Sequence, residues 1–272
     1  MNLLRYKLLS TEIDAITQDD VYEAIAEAVD TGQRRVIANH NLHSLYLYHR
    51  DRGFAQFYRR SDCIYVDGMV VIFLARALGL PFRKEHRTTF LDSLDDLMAE
   101  IVRHDWRVFY LGSKPGVSER GAEEMRRRFK GLRIATMHGY FDGRPGSREN
   151  STVIEAINAF RPNLLMVGMG MPRQELWILD NLESISANAI ITCGATMDYF
   201  TGEIASPPRW AGPLGLYGFA RLLSEPRRLW KRYLIEPWVV LGLFLRDLLR
   251  TPKTDRQRMI VPTRAGERVG NE

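Results

Sequence analysis

Cysteine is scarce: Cys63 and Cys193 are the only two in 272 residues. Two thiols cannot build a disulfide framework, and both fall in apolar, strand-like runs that suit buried, reduced side chains. Long apolar runs are also missing, since no stretch approaches the roughly 18 uninterrupted apolar residues of a membrane span. The first 17 residues set Arg5, Lys7, Glu12 and Asp14 among apolar neighbours, which is not the layout of a secretory signal. These absences lead us to expect a cytoplasmic protein. No zinc-ligand spacing, RNA-binding signature or Walker-type loop occurs, so nucleic acid ranks low as a partner. The turn after the first core strand, Asn39-His40-Asn41, lacks Gly-x-Gly-x-x-Gly, which argues against a dinucleotide-dependent oxidoreductase.

The chain is 45% hydrophobic, enough for one large α/β domain and an appendage. Its net charge of +5 is unevenly placed. Residues 203–272 hold 13 Lys and Arg against 7 Asp and Glu, whereas the remainder is nearly balanced, 25 against 26. The basic surplus therefore belongs to the tail, where a pyrophosphate or an acidic membrane surface could account for it.

Short apolar runs alternate with helical patterns through about six units. Residues 1–17 read as a short strand or arm before a helix at 19–31. The runs Arg35–Ala38, Cys63–Val66, Val108–Leu111, Leu132–Thr136, Leu164–Val167 and Ala189–Cys193 read as strands. One helix is expected over Leu42 to Phe57, and others over Val70–Leu78, from Phe90, and over Val117–Phe129 and Val153–Phe160. Such alternation predicts an open, mostly parallel, doubly wound sheet of Rossmann-like type. Nearly every strand ends in small or polar residues: Asn39 and Asn41, Asp67-Gly68, Gly112-Ser113, Gly139-Tyr140, Gly168 with Gly170, and Gly194. In a parallel sheet these ends share one edge, where α/β proteins bind ligands. The run Asp92, Asp95, Asp96 and Glu100 reads as the solvated side of an amphipathic helix, and no metal site is expected.

The expected division is a catalytic α/β domain over 1–202, a basic and partly apolar helical appendage over 203–250, and a frayed tail over 251–272. In the appendage, Trp238–Leu245 is flanked by Arg232, Arg246 and Arg250. Eight apolar residues cannot span a bilayer but could lie in its interface. A helix docked on the sheet or on another subunit is the plainer alternative.

The run Gly168-Met169-Gly170-Met171-Pro172-Arg173-Gln174-Glu175 carries a resemblance, together with Asp67-Gly68 upstream and Glu225-Pro226-Arg227-Arg228-Leu229-Trp230-Lys231-Arg232-Tyr233 downstream. It resembles the WecG/TagA/CpsF glycosyltransferases (family 26) over most of the chain. The resemblance implies inverting, metal-independent transfer of a sugar from a UDP donor to a polyprenyl-diphosphate-linked monosaccharide, with no cofactor. It implies a peripheral enzyme on the cytoplasmic face of the membrane, with homo-oligomers left open. Asp67 then matches the proposed catalytic base and Arg87 an arginine facing the departing diphosphate. Asn39, Asn41, Gly68, Gly112, Tyr140, Gly168, Gly170, Gln174 and Asp198 match donor-side positions, with Gln174 suited to a sugar hydroxyl and Tyr140 and Asp198 to the uridine. Arg221, Arg228 and Arg232 match the acceptor-diphosphate side. The run Asn39-His40-Asn41-Leu42-His43-Ser44 is most similar to the xanthan- and acetan-type branch, which implies β-1,4-glucose transfer in exopolysaccharide assembly. His40 and His43 are candidates to bind sugar. UDP-N-acetylmannosamine or a UDP-uronic acid is the alternative donor, and a non-catalytic nucleotide-binding membrane scaffold is the reading of a different class. The tail departs from the family pattern at Ser206-Pro207-Pro208 and at Gly215-Leu216-Tyr217-Gly218.

Overall fold

The computed structural model describes residues 3–205, 218, 222–223, 225–250 and 260–261. The chain begins with a hairpin of β1 (Arg5–Leu8) and β2 (Thr11–Asp14), then α1 (Gln18–Thr31) and β3 (Arg35–His40). The expected single helix after β3 is two helices, α2 (Leu42–Tyr48) and α3 (Arg52–Arg60). They separate because Asp51 is extended and its carboxylate accepts the Phe54 N–H, starting a new helix. Next come β4 (Cys63–Val66), α4 (Met69–Ala77), α5 (Phe90–Arg103), β5 (Arg107–Gly112), α6 (Val117–Arg128) and β6 (Arg133–Met137). The order continues with α7 (Arg148–Phe160), β7 (Leu164–Gly168), α8 (Arg173–Asn181), β8 (Ala189–Thr192) and α9 (Thr196–Phe200). Last are α10 (Pro226–Leu234), α11 (Glu236–Arg250) and the two-residue β9 (Ile260–Val261).

Six strands form one sheet in the order β4-β3-β8-β7-β5-β6. β3 pairs with β8, β8 with β7, β7 with β5 and β5 with β6, all in parallel. This is the expected α/β, Rossmann-like class, with strands buried on both faces and therefore almost wholly apolar. β2, β1 and β9 form a separate antiparallel sheet.

By internal packing the chain divides into two compact units. The first takes Met1–Val21, Ala38–Thr89 and Pro207–Glu272, and the second Tyr22–Ile37 and Phe90–Ser206. In the first unit, Leu8, Ile13, Leu45, Val66, Met69, Val71, Ile72 and Ala75 make a core that Val240 and Phe244 of α11 enter from the C-terminal end. Burial of side chains of this size stabilises by roughly 1.5–3 kcal/mol each, so α11 is part of this core along one side. Its other side exposes Trp238, Leu241, Leu245 and Leu249. The hairpin is fastened by the buried pair Arg5 and Asp14 (Nε to Oδ1, 2.7 Å). Asp14 also accepts the Ile64 N–H at 2.7 Å, and Arg5 donates to the Asp62 carbonyl at 2.8 Å. In the second unit, α5 buries Leu94, Leu97, Met98 and Ile101. Its Asp92, Asp95 and Asp96 are exposed, as the sequence pattern anticipates.

Candidate active site

In the first unit the sequence candidates gather at the ends of β3 and β4. Asp67 follows β4 directly, and its N–H donates to the His40 carbonyl at 2.8 Å. The end of β4 is held on its other side by Arg87 and Thr88. Val66 forms a parallel bridge with Arg87, and the Thr88 N–H donates to the Val66 carbonyl at 2.9 Å. The backbone thus sets Asp67 beside the Asn39–Asn41 turn and beside Arg87, with both side chains half-buried. Gly68 lies at φ +117°, a region that L side chains rarely adopt, and it leads into α4.

Asn41 is the N-cap of α2. Its side-chain oxygen accepts the Ser44 N–H at 3.1 Å, and the Ser44 hydroxyl accepts the Asn41 N–H at 2.8 Å. Asn39 is buried, and its carbonyl accepts the Tyr58 hydroxyl at 2.6 Å. His40 is fully buried. Its Nδ1 bonds Ser44 Oγ at 2.8 Å, its Nε2 bonds Thr11 Oγ1 at 2.9 Å, and its ring stacks on Tyr58 with centroids 3.9 Å apart. Burial opposes charging and lowers its pKa to about 3. His40 is therefore a neutral core group with both ring nitrogens committed. His43, three residues on, differs: its Nδ1 meets Glu236 Oε2 of α11 at 2.6 Å.

In the second unit the carboxyl ends of β5, β7 and β8 lie side by side. Gly112 pairs with Gly168, and Val167 with Thr192. The glycines are required here. A Cβ on Gly112 would fall on the Gly168 backbone, and one on Gly168 would meet the Tyr110 hydroxyl and come within 2.6 Å of the Gly194 carbonyl. Gly170 stands at φ +81° with open space at its Cβ position. Pro172 is the N-cap residue of α8, and the Met171–Pro172 peptide is cis.

Gln174 is buried and internally engaged. Its Oε1 accepts the N–H groups of Gly170 at 3.1 Å and Gly194 at 3.2 Å, and its Nε2 donates to Glu175 Oε1 at 2.8 Å. One side chain thus holds two glycine turns at the sheet edge. Tyr140 is 61% exposed, and Asp198 lies half-buried in α9. At this edge Gly112 and Gly168 are closed in by packing, and open space remains at the Cβ positions of Gly170 and Gly194, where a ligand can approach the strand ends.

Of the acceptor-side candidates, Arg228 pairs with Glu225 (Nε to Oε2, 2.6 Å), and the Arg232 guanidinium lies 5.8 Å from the Tyr233 ring centroid. Arg221 lies outside the described residues. Cys63 is buried, but Cys193, just past β8, is only partly covered, because the strand ends before it. Among the described residues no group of His, Cys, Asp and Glu is placed to hold a metal ion, and no helix is long and apolar enough to cross a membrane.

The sequence points to His43 only as one of two nearby histidines. Its partner Glu236 is 193 positions away and gives no local signal. Tyr58 and Thr11, which frame His40, are equally silent in the sequence.

The family model of the WecG/TagA/CpsF glycosyl transferases matches residues 6–254. The chain belongs to this family and is a glycosyltransferase. Similar relatives include the N-acetylglucosaminyldiphosphoundecaprenol N-acetyl-beta-D-mannosaminyltransferases of Staphylococcus aureus strains MRSA252 and MW2. Each is 25% identical over 181 residues, 66% of this chain and 67% of the relative.

Proposed function

We propose that this WecG/TagA/CpsF glycosyltransferase moves an N-acetylmannosamine-type sugar from a UDP donor to an N-acetylglucosamine linked to a polyprenyl diphosphate, with inversion. The match over residues 6–254 carries this reading, and the relatives' sugar and acceptor supply its specifics. They favour the N-acetylmannosamine donor over the glucose that the Asn39–Ser44 run suggests, so glucose stands second.

Asp67 serves as the general base. A sugar hydroxyl is a weak nucleophile, and one carboxylate taking its proton as the new glycosidic bond forms is enough for a single inverting displacement. Arg87, tied to the same strand end, neutralises the departing diphosphate. The Gly112, Gly168, Gly170 and Gly194 edge receives the nucleotide, with Gln174 fixing the two turns and Tyr140 and Asp198 beside the uridine. The exposed stripe of α11 with the basic residues of α10 holds the enzyme on an anionic membrane surface, where its lipid-linked acceptor resides.

The deciding experiment offers a panel of UDP-sugars to the protein with short-chain lipid-diphosphate-N-acetylglucosamine and lipid-diphosphate-glucose. Preferred use of UDP-N-acetylmannosamine with the first acceptor supports the reading. Preferred UDP-glucose with the second replaces it by the glucosyl reading, and transfer from no donor defeats both.

A further inference from the structure

The Asn39–Ser44 run contains two histidines of different character. His40 has both ring nitrogens bonded inside the core. His43 uses only Nδ1, held by a Glu236 carboxylate that is 7% exposed, and among the described residues its Nε2 has no partner. A carboxylate at Nδ1 fixes the ring's orientation and leaves the Nε2 edge as its open polar position. Such a ring is held in place for a ligand at Nε2.

Its position narrows the ligand. His43 lies in the first turn of α2, two residues after the cap Asn41 and three after His40, whose carbonyl holds the Asp67 N–H. Glu236 opens α11 immediately beyond α10, the segment that carries Arg227, Arg228, Lys231 and Arg232. The His43–Glu236 contact therefore joins the end of the basic helix to the turn beside the candidate base, all within one compact unit. The basic residues of α10 suit an anion and not an uncharged sugar, which makes a diphosphate the ligand of this corner. We infer that His43, oriented by Glu236, binds the diphosphate of the lipid-linked acceptor through Nε2–H. This rests on the proposed transfer and adds a residue to its acceptor side.

The alternative is that the pair only staples α11 to α2. His43→Asn separates the two, because an asparagine amide can reproduce the Nδ1 bond to Glu236 but has nothing at the Nε2 position. With farnesyl-diphosphate-N-acetylglucosamine as acceptor in detergent, His43→Asn should raise the acceptor KM about tenfold, the usual worth of one charge-assisted hydrogen bond. Donor KM, kcat and Tm should stay near the parent's. Glu236→Gln should raise the acceptor KM less, since an amide oxygen can still hold the ring at Nδ1. An unchanged acceptor KM in His43→Asn leaves only a staple, and a loss confined to kcat makes the ring a proton acceptor; either overturns the proposal.

A second measurement needs no variant. Inorganic pyrophosphate titrated into the ¹⁵N-histidine-labelled full chain should shift the His43 Nε2 resonance and leave His40 unmoved. No shift at His43 overturns the proposal even if the variant fails to fold. If the parent transfers nothing to the lipid acceptor, the reaction assignment fails, and the pyrophosphate titration still decides the fate of His43.

Discussion

The Asp67 N–H donates to the carbonyl of His40, a residue whose ring is bonded at both nitrogens and stacked on Tyr58. The main chain of the candidate base is thereby fixed to a fully buried part of the core. Its carboxylate stands at the strand end with little backbone freedom, as general-base catalysis requires.

Asp67→Asn is nearly isosteric and removes the basic oxygen while leaving that backbone bond in place. Turnover should fall by at least about two orders of magnitude, with UDP binding retained. Steady-state kinetics beside calorimetric UDP binding measure both. Turnover near the parent's would move the base elsewhere, with Asp142 or Asp198 examined next.

His40 makes stability depend on pH. Its folded pKa, about 3, lies below the ordinary 6.5, so between these values the unfolded chain binds the proton that the folded chain excludes. Its contribution is complete above pH 6.5 and is lost as the pH falls, by up to about 1.4 kcal/mol per pH unit. Urea unfolding at pH 7 and pH 5 should show roughly 2 kcal/mol lost from this group. In His40→Gln the difference between the two pH values should shrink by that amount. Equal pH slopes in parent and variant would mean that the ring is protonated in the fold.

The glycines at the sheet edge should separate into two classes. Gly168→Ala and Gly112→Ala drive a methyl into backbone or into the Tyr110 hydroxyl and should cost about 1–3 kcal/mol as well as UDP affinity. Gly170→Ala meets open space and bears only the cost of its positive φ, about 1 kcal/mol. Denaturant midpoints of the three variants read this directly, and a Gly170 variant as damaged as the other two would contradict it.

Trp238→Ser with Leu245→Ser removes apolar area from the exposed side of α11 and leaves Val240 and Phe244 in place. Binding to anionic vesicles should drop at least about tenfold with Tm unchanged. Raising the salt should weaken the parent's binding further, since basic residues near the surface contribute roughly 1 kcal/mol each and are screened. Equal co-sedimentation of parent and variant would remove this stripe from the proposed membrane contact. Deleting the tail is a poorer test, because it also strips two side chains from the core.

The strand ends and the parallel class were legible because Gly168, Gly112, Asp67 and Asn39 follow apolar runs too short for helices. The hairpin was not. Its loop residues, Leu9 and Ser10, both take positive φ without the Asn-Gly signature that usually marks such turns. Leu42 to Phe57 read as one helix because its apolar spacing runs on past the break, which only the Asp51 cap betrays. The place of β8 between β3 and β7 depends on packing among distant segments, as does the His43–Glu236 contact. Gln174 was readable as a polar group at the right edge, but its engagement by two turns depends on Gly194, 20 residues downstream.

The two sides of α11 also govern how the protein behaves away from lipid. Because one side completes a core, the helix cannot fold away, and Trp238, Leu241, Leu245 and Leu249 stay together on the surface whether or not a membrane is present. In plain buffer that stripe is an adhesive. Samples should self-associate with rising concentration, and mild detergent or lipid should restore dispersed protein by covering the same residues.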